Sequence, residues 1–115
     1  MSKLLEAQFQ FAEMVPRLLD KAKELGFKYK GGDWLRDPRC PYGSKSSRHR
    51  SALALDINLF RVTTYTDTNG LTKTKHIYLE ETDDYRSLGL WWESQGGIWG
   101  GRFEDGNHFE WPWPT

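Results

Sequence analysis

Cysteine is almost missing from this chain: Cys40 is the single one in 115 residues. That excludes an internal disulfide and a structural zinc site built from several thiolates. An excess of either charge is missing too, with 16 Lys and Arg against 16 Asp and Glu. A nucleic-acid or membrane-surface partner, which calls for a basic stripe or face, is therefore not expected. No apolar run approaches a bilayer span, and the N-terminus lacks the charged-then-apolar layout of a signal peptide. The expectation is synthesis in the cytoplasm, with any export left to another agent. Histidine is scarce as well, at His49, His76 and His108. Aromatics are plentiful, including six Trp, and the length suits one domain with one core.

The chain begins with apolar residues at helical spacing, Leu4, Phe11, Val15, Leu18, Ala22 and Leu25, and Gly26 as a stop. Pro16 inside this run predicts a kink or a break into two helical pieces. Phe27 to Lys30 is a short strand candidate. Residues 33–48, with Pro38, Pro41 and Gly43, read as a long loop, which in a compact domain is often functional. Arg36 and Arg39 within it are solvated charges or a guanidinium clamp for a substrate carboxylate.

From Ser51 to Phe60 the pattern alternates. Leu53, Leu55, Ile57 and Leu59 point one way; Ala52, Ala54, Asp56 and Asn58 point the other. Arg61–Thr66 and Lys75–Leu79 read as two more strands joined through Asp67-Thr68-Asn69-Gly70, so the sheet should be mainly antiparallel. His76 in the second of these reads as a surface or packing residue. Thr82 is positioned to cap a helix starting at Asp83 or Asp84 and ending at Gly96-Gly97. Trp91 and Trp92 on it read as core and cleft rim. Beyond Trp99-Gly100-Gly101, a tight Asp105-Gly106-Asn107 turn leads into a last short strand. There His108 and Glu110 face one side, Phe109 and Trp111 the other.

Asp56 in an apolar strand needs a partner, because an unpaired buried carboxylate costs several kcal/mol. His49, Asp56 and His108 supply two imidazoles and one carboxylate, a common catalytic zinc set that leaves a fourth position open. Asp105, three residues before His108 across the turn, is placed to take a proton from a water.

These residues fall into two separated motifs. Ser47-x-His49-x6-Asp56, and later Trp99-Gly100-Gly101 with Asp105-x-x-His108-Phe109-Glu110, resemble the M15 metallopeptidases. That family includes D-alanyl-D-alanine carboxypeptidases and dipeptidases and the phage L-alanyl-D-glutamate endolysins. The run Ala54-Leu55-Asp56-Ile57-Asn58-Leu59-Phe60 and the small size are most similar to the endolysin branch. The resemblance covers about residues 32–111, behind an N-terminal helix within 1–26, as one domain over 1–115. It implies an α+β, Hedgehog/DD-peptidase-like fold with an antiparallel sheet flanked by helices. It implies one Zn2+ per chain on His49, Asp56 and His108, with Asp105 activating water. Arg36 is similar to the family's upstream arginine, which holds substrate and the developing oxyanion. Ser47, Arg39, Asn58 and Glu110 are further candidates for touching substrate or steadying the ligands.

The function these features predict is a zinc peptidase acting on the peptide stem of bacterial peptidoglycan. A monomeric phage L-Ala-D-Glu endopeptidase, released to the cell wall through a holin, is the expectation. The alternatives are a D-Ala-D-Ala carboxypeptidase or dipeptidase of the same family, a zinc-stabilised fold without activity, and a non-catalytic cell-wall-binding module built on the tryptophans.

Overall fold

A computed structural model describes residues 2–32 and 53–112. Helix α1 (Lys3–Glu24) opens on Ser2, whose Oγ accepts the Leu5 N–H at 2.9 Å. It ends with Lys21 and Lys23 at its negative end, and Gly26 follows at φ +90°. Ala7, Phe11, Leu18 and Ala22 form its buried stripe, while Leu25 lies outside it. The break expected at Pro16 does not occur. Proline removes one helical hydrogen bond, at a cost of about 3 kcal/mol. Burial of Phe11 and Leu18 on either side is of a size to offset that, at roughly 1.5–3 kcal/mol for each large apolar side chain.

The sheet is antiparallel throughout, and the domain is α+β. Its strands are β1 (Phe27–Gly31), β2 (Ala54–Thr66), β3 (Thr72–Tyr78), β4 (Ile98–Trp99) and β5 (His108–Glu110). The order is β1-β2-β5-β4, with β3 also paired to β2. β2 organises the rest. Its first residues pair with β5, its middle with β1 and its last seven with β3. The two strands expected over 51–60 and 61–66 are thus one. Where β2 runs beyond the helices its burial falls away, but β-branched Val62, Thr63 and Thr64 carry the extended backbone on.

Leu53, Leu55, Ile57 and Leu59 are almost wholly buried on the helix-facing side, as the alternation predicts. They meet Phe11, Leu18, Leu88, Trp92 and Phe109 in one core. The Trp92 ring packs edge-on to Phe11, Phe109 and Trp111. The second helix starts differently from the sequence reading. Glu81, not Thr82, forms the cap, exchanging hydrogen bonds with Asp84 in a capping box. A 3-10 turn (Thr82–Tyr85) then leads into α2 (Arg86–Ser94), closed by Gln95 and Gly96. Tyr85, buried, accepts the Leu59 N–H at 3.0 Å and donates to the Leu79 carbonyl at 2.8 Å. Burial pushes its phenol pKa up. Among the described residues no helix is long and apolar enough to cross a membrane.

Candidate metal centre

The centre is built by strand register. Antiparallel pairing sets Asp56 directly across from His108, and side chains opposite one another share a face. The odd-numbered leucines and isoleucine fill the core, so the even-numbered Asp56 and Asn58 look out from the other side. Asp56 Oδ1 lies 3.2 Å from His108 Nδ1. Glu110, two residues along β5 and so on the same face, places Oε1 3.1 Å from His108 Nε2. One imidazole therefore stands between two carboxylates, one on each nitrogen. All three side chains are largely shielded from solvent.

The turn before β5 adds a fourth group. The His108 N–H donates to the Asp105 carbonyl at 3.1 Å. That turn brings Asp105 Oδ2 to 4.0 Å from His108 Nδ1 while leaving the Asp105 side chain 57% exposed. Gly100 makes the turn's position possible. A Cβ there would collide with the Asp105 carbonyl oxygen and come within 2.8 Å of the His108 Cβ. Two indoles fix the ends of the segment. Trp99 Nε1–H donates to the Gly106 carbonyl at 2.7 Å, and Trp92 Nε1–H to the Glu110 carbonyl at 2.9 Å.

Electrostatics follow from the bracketing. Burial works against charge on the His108 ring, but hydrogen bonds from both nitrogens to Asp56 and Glu110 outweigh it. The pKa is raised to about 9. Two facing acceptors require two N–H donors, which only the imidazolium offers.

The donors suit a divalent metal. Ligands bonded to tetrahedral zinc at ~2.0–2.1 Å stand about 3.3 Å from one another, and Asp56 Oδ1 and His108 Nδ1 are 3.2 Å apart. A metal-binding imidazole usually donates its other N–H to a carboxylate, and Glu110 occupies that position. Among the described residues no group of three His, Cys, Asp or Glu is arranged to hold a metal by itself. The expected third ligand, His49, lies outside the described residues, as do Arg36, Arg39 and Ser47. His76 is exposed on β3, opposite Val62.

The structure thus brings together Asp56, Asp105, His108 and Glu110, and adds a contact the sequence did not reveal. Asn107 Nδ2 donates to Asn58 Oδ1 at 3.0 Å, tying the turn to β2 beside the centre. Of the described tryptophans, Trp92 and Trp99 are core residues and Trp91 and Trp111 are partly buried against the core.

Residues 42–111 match the family model described as D-alanyl-D-alanine carboxypeptidase. No curated protein matches the chain.

Proposed function

The chain belongs to the M15 peptidase family, and on that premise we propose that it is a zinc-dependent peptidase of the peptidoglycan stem, with a Hedgehog/DD-peptidase-like fold. The observation that carries this reading is the Asp56–His108 pair, two ligand-type side chains at zinc-ligand separation with Glu110 on the far ring nitrogen. Asp56 and His108, with His49, would hold the metal. Zinc, when bound, acidifies water and polarises a carbonyl.

The protein's own groups do the rest. Glu110 fixes the tautomer and tilt of the His108 ring, so that Nδ1 is the nitrogen offered to the metal. Asp105, exposed and beside the ring, receives a proton from the attacking water and returns it to the departing amine. The water oxygen bonds to the carbonyl carbon to give a tetrahedral oxyanion. The C–N bond then breaks, leaving a carboxyl group on one side and, with the proton taken by Asp105, an amino group on the other. By its likeness to the family's upstream arginine, Arg36 would steady the oxyanion and the substrate, and Ser47 and Arg39 are further candidates for touching substrate.

The specific reaction we propose is L-Ala-D-Glu endopeptidase cleavage by a monomeric phage endolysin that reaches the wall through a holin. The description of the matching family model favours a second reading, release of terminal D-Ala. Mass spectrometry of purified peptidoglycan digested with the zinc-loaded protein separates them. New amino termini on D-Glu support the first, and free D-Ala the second. Both must vanish with a chelator. Wall binding that survives the chelator, without any cleavage, would replace both readings with a binding module.

A further inference from the structure

The face that carries the centre continues along β1 and β2 in successive rows. In the row of Asp56 and His108, the residue on the β1 side is Gly32, which has no side chain. The Gly32 N–H donates to the Asp56 carbonyl at 2.8 Å, and a Cβ on Gly32 would stand 3.1 Å from the Asp56 Cβ. Among the described residues, Gly32 therefore sets no side chain beside Asp56 on that flank. In the next row Lys30 is opposite Asn58, whose Oδ1 accepts from Asn107 and whose side-chain amide N–H groups have no partner among the described residues. In the row after, Lys28 is opposite Phe60, whose ring lies 5.4 Å from that of Tyr78. Phe27 and Tyr29 turn to the core, which sends Lys28 and Lys30 to the site face. Lys30 is exposed and has no ion-pair or hydrogen-bond partner among the described residues.

Charge gives this row a purpose. Asp56, Asp105 and Glu110 place three carboxylates at the centre. A peptide carrying its own carboxylate approaches against that charge. His108, opposite Asp56, is already bracketed by Asp56 and Glu110, and after it Lys30 is the described cation on this face closest to Asp56 in the register. Adjacent rows on one face are two residues, or about 7 Å, apart along a strand. An extended peptide advances ~3.3–3.6 Å per residue. A substrate laid along β2 with its scissile carbonyl at Asp56 and His108 therefore brings a carboxylate one or two residues away within reach of Lys30.

We propose that Lys30, with Asn58 beside it, is a subsite for a substrate carboxylate one or two residues from the scissile bond, and so a determinant of specificity. This rests on the peptidase reading. Two synthetic stem peptides test it, one with free carboxylates and one with the same carboxylates amidated. Binding is measured calorimetrically to the metal-free full chain and to its Lys30→Met and Lys30→Arg variants, with thermal midpoints confirming that all are folded. The wild type binds the free-acid peptide about tenfold more tightly, the gain expected of one charge-assisted contact. Lys30→Met brings the ratio to about one, and Lys30→Arg restores it. With zinc-loaded protein the same ratios appear in KM and not in kcat. Equal wild-type affinity for the two peptides, or an unchanged ratio in Lys30→Met, overturns the subsite. Failure of zinc-loaded wild type to cleave either peptide removes the peptidase reading instead, and the binding ratios still decide Lys30.

Discussion

Asp56 and His108 are 52 residues apart in the chain and 3.2 Å apart in space, facing each other across antiparallel strands. Neither can shift without the sheet shifting. Slipping β5 by one residue would turn His108 into the core and Phe109 out of it, so the burial of Phe109 enforces the pairing.

Asp105 and the two strand residues should separate cleanly by mutation. Asp105→Asn is expected to lower kcat on a stem peptide by on the order of 10²–10⁴, the range for a lost general base. Its zinc affinity, measured by competition with a chromophoric chelator, should stay within a few-fold of wild type. Undiminished turnover would remove Asp105 from the mechanism.

Glu110→Ala should act in the opposite sense. The His108 ring loses the partner of Nε2, and zinc affinity is expected to fall roughly ten- to a hundredfold, as for other carboxylates behind a metal-bound imidazole. An affinity equal to wild type in the same competition assay would mean that packing alone orients the ring.

The His108 imidazolium makes the metal-free protein sensitive to alkali. Its pKa rises from 6.5 to about 9 on folding, so between those values the folded state holds more protons than the unfolded one. The resulting stability is fully present below pH 6.5 and is lost as pH rises through about 9. Chelator-treated protein should thus show a falling denaturation midpoint across that window, and His108→Gln should flatten the fall. Zinc binding must displace the Nδ1 proton, and calorimetry at pH 7 in buffers of different ionisation enthalpy should register its release.

Tyr85→Phe tests the join between the sheet and the turn before α2. It strands the buried Leu59 N–H and withdraws the donor from the Leu79 carbonyl. A loss of about 1–3 kcal/mol is expected from urea unfolding. A variant as stable as wild type would show that Leu59 finds another acceptor.

The sequence displayed what depends on local periodicity. Alternation over 53–60 correctly divided the core leucines from Asp56 and Asn58, and the separation of His108 and Glu110 from Phe109 could be read from three residues. Boundaries were harder, because burial and backbone conformation end at different places. The alternation stops where β2 leaves the helices, yet the strand continues to Thr66. At Glu81 and Thr82, two adjacent residues were both capable of capping, and the reciprocal bond with Asp84 decided between them. Cross-strand neighbours were not legible. That Gly32 flanks Asp56, or that Asn107 reaches Asn58, follows from register between distant segments, which no local pattern encodes.

The two indole hydrogen bonds at Gly106 and Glu110 have an optical consequence. Trp99 and Trp92 hold the two ends of the short segment that carries His108, and both rings are buried. If that segment peels from the sheet, both indoles lose their acceptors and meet water together. The protein therefore carries a native fluorophore at each end of its most consequential five residues. A red shift in tryptophan emission ahead of the loss of helical circular dichroism would report opening of the site before the fold itself gives way.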